Sequence, residues 1–435
     1  MKYNEAIAYL YSRLPMFHRV GAAAYKADLN NTITLCSLLG NPENYLSGRS
    51  IHIAGTNGKG STSHMLAAVL QTAGYKTGLY TSPHLLDFRE RIRIDGEMIP
   101  EQEVISFIEK YQNDFEEINP SFFEWTVALA FNYFESEKVD VAVIETGLGG
   151  RLDSTNVITP LLSVITNIGL DHLNLLGDTL EKITIEKAGI IKKNVPVVIG
   201  ETQSEIKNVF IDRANEMNAP VLFAAENYDA AKNNSSGSEN FSIDILKENN
   251  ILYKNLKLDL TGNYQLKNIV TVVAALEEIK RKFPVREDVL RNGLKDVKKI
   301  TGLRGRWEIL LHSPLVICDV GHNAEGIAYI VEQIKNTKHN KLHFVFGVVN
   351  DKSIDTILKL LPRNAEYYFC HADIPRALDS AELTKQAKAA GLKGNDYFSV
   401  KEAVNAAIKN SSENDFVFIG GSTFVVAEAI PLFEK

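Results

Sequence analysis

The chain has 435 residues, 45% of them hydrophobic and 23% charged, with 47 Lys and Arg against 54 Asp and Glu for a formal net charge of −7. That length exceeds what one hydrophobic core usually serves, so two domains are expected, and the acidic balance without a long basic run argues against a nucleic-acid partner. Three scattered cysteines (Cys36, Cys318, Cys370) exclude a disulfide framework or a zinc ribbon and suit a reducing, cytoplasmic compartment. The opening MKYNEAIAYLYSRL lacks a signal-peptide pattern, and no run of about 18 apolar residues suits a membrane span.

In chain order, strands alternate with helices. Ser50–Ala54 is short, β-branched and apolar, then meets glycines. From Ser61 to Thr72 the residues Met65, Leu66, Val69 and Leu70 recur at helical spacing until Gly74. Val139–Ile144, Leu161–Thr166 and Val195–Ile199 are continuous apolar runs of strand length, as in a parallel sheet buried on both faces. Asn233–Asn240 reads as a polar turn or loop, and Asn263–Lys280 as a helix. Lys298–Arg306 turns basic and glycine-rich, which places the domain boundary there, between 1–298 and 299–435. Strands at Leu315–Val320, Leu342–Val348, Glu366–Cys370 and Phe416–Gly420 then build a smaller, Rossmann-like α/β domain. No repeat or heptad is visible, and a monomer is the expected state.

Gly55-Thr56-Asn57-Gly58-Lys59-Gly60-Ser61 joins the first strand to the first helix. Glycines let successive N–H groups curl toward a phosphate, the helix N-terminus adds its dipole, and Lys59 adds a charge. The loop departs from G-x-x-x-x-G-K-[ST]: Ile53 stands at the first Gly position, and Gly60 separates Lys59 from Ser61. The fold class is therefore α/β, a P-loop ATPase-type domain with a mostly parallel sheet followed by the smaller domain. Glu145 closes a strand ahead of the glycine-rich TGLGGRLD, where a carboxylate could hold Mg²⁺ or simply be solvated. His172, after another strand, is a ligand or a structural histidine, and Lys187 alone reads as a solvated helical lysine. Asn268 could bond adenine or lie near a helix cap. Arg306 can reach phosphate bidentately. Asp319 could serve a ribose, a phosphate-bound metal, a cap or a turn. Phe122, Phe123, Trp125 and Phe131 are core or, beside Glu124, a face for stacking a planar ring. Arg89, Arg91 and Arg93 alternate as on a strand with one solvated face, or contact a substrate carboxylate.

The motifs IHIAGTNGKGSTS, YTSPHLLDFRERI, FFEWTVALAF, IETGLGGRLDSTN, ITNIGLDHLNLLG, IEKAGIIK, GNYQLKN, GRWE and DVGHN run in order through most of the chain. The sequence resembles the folylpolyglutamate synthase/dihydrofolate synthase family of the Mur ligase superfamily. The resemblance implies ATP as co-substrate and Mg²⁺ held by Ser82 and Glu145, with His172 at a second metal site; K⁺ is a further cation it allows. It implies a carbamylated Lys187, an adenine contact from Asn268, and Arg306 and Asp319 completing the ATP site as the domains close. It also implies a pterin pocket at Ser121, Phe122, Phe123, Glu124, Leu152, Asp153 and Ser154, near the loop Ser82-Pro83-His84-Leu85. The family often reads DGAHNP where this chain has DVGHNAEG, so that helix start lacks a proline.

These parts describe one reaction. The γ-phosphoryl group of ATP activates a carboxylate as an acyl phosphate, with Lys59 offsetting charge, and the amine of L-glutamate displaces phosphate. His322 is a candidate base or orienter for that amine, and Ser422 a second candidate glutamate contact. A kinase or NTP hydrolase without an amine acceptor, and a non-catalytic nucleotide sensor, are the readings from other classes. A cell-wall amino-acid ligase would need a UDP-sugar domain, for which too little chain precedes residue 55.

Overall fold

The computed structural model describes residues 1–14, 28–233, 240–350 and 354–434. It divides into two units, Met1–Leu260 with Tyr264–Leu303, and Thr261–Asn263 with Arg304–Lys435. In the first unit, β1 (Ser50–Ala54), β2 (Thr77–Tyr80), β3 (Ile92–Ile94), β4 (Glu97–Met98), β5 (Val141–Glu145), β6 (Leu162–Ile165), β7 (Val197–Ile199) and β8 (Val221–Phe223) form one sheet in the order β4-β3-β2-β5-β1-β6-β7-β8. The six strands from β2 to β8 in that order are parallel; β3 and β4 are antiparallel.

Side-chain alternation on β5 shows why its apolar run is unbroken. Val141 and Val143 join the core on one face, beside Met65, Val69 and Ala274 of helices Lys59–Thr72 and Gln265–Ile279. Ala142 and Ile144 join the other, beside Trp125, Ala128 and Phe131 of helix Phe122–Ser136. Both faces are covered, so neither alternate position can be polar. Helix Lys59–Thr72 is also tied to a late segment of its own unit. His64 Nδ1 and Thr301 Oγ1 lie 2.8 Å apart, and Gln71 Nε2 donates to Ile300 O at 2.9 Å.

The sequence reading missed a small antiparallel sheet of β9 (Tyr228–Lys232), β10 (Phe241–Lys247) and β11 (Asn250–Leu258). The polar turn expected at Asn233–Asn240 falls largely on 234–239, outside the described residues. The stretch read as a loop at Lys298–Arg306 contains the end of a helix, Val297–Thr301, closed by Gly302 at φ 69°.

The second unit holds β12 (Glu308–His312), β13 (Leu315–Asp319), β14 (Leu342–Phe346), β15 (Glu366–Phe369), β16 (Lys393–Asp396) and β17 (Phe416–Gly420) in the order β12-β13-β17-β14-β15-β16. All its pairings are parallel except β12 with β13. Trp307 packs against Phe416 and Phe418, with ring centroids 6.2 and 5.9 Å away. Among the described residues no helix is long and apolar enough to cross a membrane. Trp307→Ala should cost the second unit about 3–5 kcal/mol, the usual loss for a large buried ring. Urea unfolding of the full chain, followed by probes in each unit, checks this: the transition of the second unit should move to lower urea.

Candidate active site

Ile53 pairs with Glu145 and Ala54 with Ile165, so the C-terminal ends of β1, β5 and β6 lie side by side. Open parallel sheets bind ligands beyond such ends. Gly55 leaves β1 with φ 149°, and a Cβ there would lie 1.9 Å from Thr166 Oγ1. Gly58 caps helix Lys59–Thr72 with φ 85°, and its Cβ would lie 2.3 Å from Asn268 Oδ1. Both positions need glycine for conformation and for space.

Not every amide of this loop is turned outward. Thr56 N donates to Asn167 O at 2.9 Å, and Asn57 N to Asn167 Oδ1 at 2.8 Å. The Thr56 hydroxyl donates to Gly169 O and accepts from Gly169 N, while Thr166 Oγ1 donates to Asn57 O at 2.6 Å. Thr56 and Asn57 therefore brace the loop, a difference from the expectation that successive amides all face phosphate. The amides left over lie in the first helical turn. Lys59, Gly60 and Ser61 precede Thr62, whose N–H is bonded back to Gly58 O, so their own amides have no intrahelical acceptor. The Ser61 hydroxyl accepts from Gln265 Nε2 at 3.0 Å, and Gln265 Oε1 accepts from Asn268 Nδ2 at 2.7 Å. Asn268 thus lies beside the phosphate loop in a buried chain through Gln265. Neither Gln265 nor Asn167 was singled out from sequence, although both lie inside the motifs GNYQLKN and ITNIGLD.

Two lysines converge on Gly55. Lys59 Nζ donates to Gly55 O at 3.1 Å and Thr56 O at 3.3 Å, and Lys187 Nζ donates to Gly55 O at 2.8 Å. Lys187 is only 4% exposed, which overturns the expectation of a solvated lysine. Burial, then the charge of Lys59, lowers its pKa to about 7, against the pull of Asp171 and Asp153.

Glu145 ends β5 with 4% exposure and accepts from Ser82 N at 3.2 Å, so these two candidate metal ligands are neighbours. His172, at φ 53°, opens the short helix Leu173–Leu176, and its N–H donates to Asp171 Oδ1. Among the described residues no group of three or more His, Cys, Asp or Glu is gathered as a metal cage. A single buried carboxylate beside a serine nevertheless fits Mg²⁺, which takes oxygen donors and fills its octahedron with water and phosphate.

The loop after Glu145 is built closely. A Cβ on Gly147 would lie 2.4 Å from the Phe123 ring. Asp153, buried, accepts from Leu148 N at 2.8 Å and from Thr155 N at 3.0 Å, and Thr155 Oγ1 also donates to it. With that proton used, Thr155 Oγ1 accepts from His52 Nε2 at 2.8 Å. Burial pushes the Asp153 carboxyl up, opposed by these bonds. Ser154 opens the 3₁₀ turn Ser154–Val157, and Leu152 is partly buried.

The expected aromatic segment separates into two roles. Trp125 and Phe131 are core. Phe122 is buried against Tyr11 and Phe88, with the Arg91 guanidinium 5.2 Å from its ring. Phe123 stays partly exposed, facing Tyr80. Ser121 and Glu124 form a capping box: Ser121 N donates to Glu124 Oε2 at 2.6 Å, and Glu124 N to Ser121 Oγ at 3.2 Å. The S-x-x-E spacing ahead of an apolar run is the signal that would have found it. Arg91 and Arg93 are buried, not on a solvated face; Arg91 Nε donates to His84 Nδ1 at 2.7 Å.

In the second unit, Asp319 ends β13 and accepts from Trp307 N at 2.7 Å and Gly321 N at 2.8 Å. His322 Nδ1 lies 3.0 Å from Val320 O, and Arg306 is partly buried beside Gly305 O. Asn323 caps helix Ala324–Asn336 through Gly326 N, and Ala324 stands at the first helical position, where the family pattern has proline. Ser422 is buried and caps helix Thr423–Ala429 through Val425 N at 3.2 Å, which gives its hydroxyl a structural duty that the sequence reading did not foresee.

Residues 53–276 match the Mur ligase middle domain, and residues 305–423 the Mur ligase glutamate ligase domain. The chain is 33% identical over 445 residues to the dihydrofolate synthase/folylpolyglutamate synthase of Bacillus subtilis (strain 168), covering 98% of each chain. It is 33% identical over 393 residues to the folylpolyglutamate synthase of Lacticaseibacillus casei, covering 88% of each. Its structure is similar to E. coli FolC in complex with DHPP and ADP, at TM-score 0.86 and 29% identity over 100% of this chain and 98% of that one. It is also similar to a bifunctional folylpolyglutamate synthase/dihydrofolate synthase with Mn, AMPPNP and L-glutamate bound, at TM-score 0.84 and 27% identity over 100% and 98%. With both halves matched and whole-length relatives at this identity, the chain belongs to the folylpolyglutamate synthase/dihydrofolate synthase family of the Mur ligases.

Proposed function

We propose that this chain joins L-glutamate both to dihydropteroate and to the γ-carboxyl of folyl glutamates, using the phosphate loop and Lys187 to drive one shared chemistry. The reaction is that of an ADP-forming carboxylate–amine ligase. The observation that carries the reading is the convergence of Lys59 and Lys187 on Gly55 O at the ends of β1, β5 and β6.

A carboxylate is a poor electrophile. Transfer of the ATP γ-phosphoryl group onto its oxygen makes an acyl phosphate and releases ADP. The glutamate amine attacks the carbonyl carbon, and phosphate leaves as the amide forms. Lys59 and the amides of Lys59, Gly60 and Ser61 hold the triphosphate and offset charge gathering on the transferred group. Ser82 and Glu145 would hold Mg²⁺, which when bound supplies further charge neutralisation on the phosphates. Phe123, next to Gly147, gives the pteridine or aminobenzoyl ring a face to stack on, and Asp153 and Leu152 border the same loop. Asn268, Arg306 and Asp319 are assigned to the nucleotide. His172 is assigned to a second metal.

On the second unit, His322 prepares the amine. Its Nδ1 lies 3.0 Å from Val320 O, a contact that holds the ring at the start of helix Ala324–Asn336. Lys187 is assigned a carbamate. An amine lowered to about 7 is substantially neutral at physiological pH; its nitrogen attacks CO₂ and gives up one N–H proton to solvent as the N–C bond forms, so the carbamate exchanges a buried cation for an anionic oxygen donor.

With ATP·Mg²⁺ and L-glutamate, phosphate release should require glutamate and proceed with dihydropteroate and with a reduced monoglutamyl folate alike, each product heavier by one glutamate in the mass spectrum. Release that ignores glutamate would overturn the ligase reading, and turnover with one acceptor alone would overturn bifunctionality. Lys59→Ala should stay folded and lose about 100- to 1000-fold in kcat, the cost of removing one transition-state donor; normal turnover would refute the phosphate-loop assignment. In bicarbonate-free buffer, stability follows the protonation of Lys187. An amine whose pKa falls from 10.5 to about 7 on folding costs the folded state its full penalty below pH 7 and recovers it as pH rises toward 10.5. Lys187→Met should therefore melt higher than the parent at pH 6, by on the order of a few kcal/mol, with the gap closing toward pH 10.

A further inference from the structure

Asn156 stands in the 3₁₀ turn Ser154–Val157 and is 5% exposed. Its Nδ2 donates to Arg151 O at 3.0 Å and to Gly189 O at 3.1 Å. The first acceptor belongs to the glycine-rich loop after Glu145, the second to the end of helix Leu180–Ala188, which carries Lys187. One side-chain amide therefore bridges the two segments, and two carbonyl partners fix which end of the amide faces them. Its Oδ1 is buried with no partner among the described residues. A buried carbonyl left unpaired is unfavourable, so the two donated bonds are what an asparagine supplies here that an apolar side chain cannot.

The junction that Asn156 closes has no slack. A Cβ on Gly150 would lie 2.8 Å from both Glu186 O and Lys187 O, and one on Gly189 would lie 2.4 Å from Arg151 Cα. Arg151 N donates to Glu186 O at 2.7 Å, and the Arg151 guanidinium pairs with Glu186 Oε1. The turn is itself anchored: Lys192 Nζ donates to Asn156 O at 2.7 Å, and neighbouring Thr155 is held by His52 of β1. From this junction Lys187 reaches Gly55 O at 2.8 Å.

We infer that Asn156 is a positioning residue for the ligase reaction, seating Lys187 against the phosphate loop by clamping the end of its helix to the loop that follows Glu145. Its amide bonds the main-chain carbonyls of Arg151 and Gly189, and it acts through Lys187. The inference rests on the proposed function of Lys187, and the experiment separates the two.

Steady-state kinetics of full-length Asn156→Ala and Lys187→Met should be paired with acetic anhydride labelling of lysines read by mass spectrometry. A misplacement of about an ångström can cost about 100-fold, so kcat of Asn156→Ala should fall by about that factor. The KM for ATP should stay within about twofold of the parent, because the lesion lies outside the binding contacts. Acetylation of Lys187 should rise severalfold, while that of exposed Lys182 stays unchanged. A folded Asn156→Ala with parental kcat, beside an inactive Lys187→Met, overturns the inference and leaves the function standing. A fully active Lys187→Met overturns both. If Asn156→Ala does not fold, Asn156→Ser, which keeps one donor, is read instead: parental kcat and Lys187 labelling in that variant overturn the inference, and a partial loss of kcat with raised labelling supports it.

Discussion

The carbonyl oxygen of Gly55 is the point on which the first unit turns. It accepts hydrogen bonds from two lysines that arrive from different parts of the chain, Lys59 one helical turn on and Lys187 from a separate helix. The glycine is required twice over, by its φ of 149° and by the absence of room for a Cβ against Thr166. Two ammonium groups drawn to one carbonyl would repel at close range. Burial, with the charge of Lys59 beside it, lowers the basicity of Lys187, and this relieves the repulsion because the buried amine can be neutral.

Around that point, the polar residues at the strand ends divide into those that build and those that face outward. Thr56, Asn57, Asn167 and Thr166 bond one another and hold the loop's shape. Asp153 and Thr155 do the same for the loop after Glu145, with His52 beneath them in β1. His52 is fully buried, and burial followed by Lys192 lowers its pKa to about 3, so it works as a neutral donor. Preorganised dipoles of this kind need not reorient when charge moves, which is the physical advantage of a phosphate site made from rigid backbone.

Much of this was legible in the sequence. The strands β1, β5, β13 and β17 are largely apolar runs closed by glycine or acid, β6 is one closed by Thr166 and Asn167, and sheets covered on both faces demand that composition. Some of the strands that escaped notice are short or polar for identifiable reasons. β16 is Lys-Gly-Asn-Asp at a sheet edge, and β2 holds Gly78 beneath the ring of Phe134, where a Cβ would lie 3.0 Å away. Motif spacing singled out the loop from Gly55 to Ser61, but not which of its amides turn inward, since that depends on Asn167 more than a hundred residues away. Burial of Lys187, Arg91 and Arg93 was likewise invisible, because a charged residue on a helix or a short strand looks solvated until its tertiary neighbours are known. Ser121 and Ser422 show the converse: hydroxyls that look available for substrate are helix caps.

The long sequence separations inside the site have a consequence for biogenesis. Gly55 and Lys187 are 132 positions apart, and Ser61 and Gln265 are 204 apart. On a growing chain the phosphate loop emerges early, yet its second lysine and its glutamine brace are added only much later. Such non-local closure is slow compared with helix formation, and it makes the nucleotide cradle a late product of folding. A truncated or stalled chain that already carries GTNGKGS would therefore lack the groups that shape it. Nucleotide, once bound, would favour the finished fold over a partly folded chain, through mass action on the folded state. The same distant contacts that organise the chemistry thus act as a test of completeness, applied before any ATP can be spent.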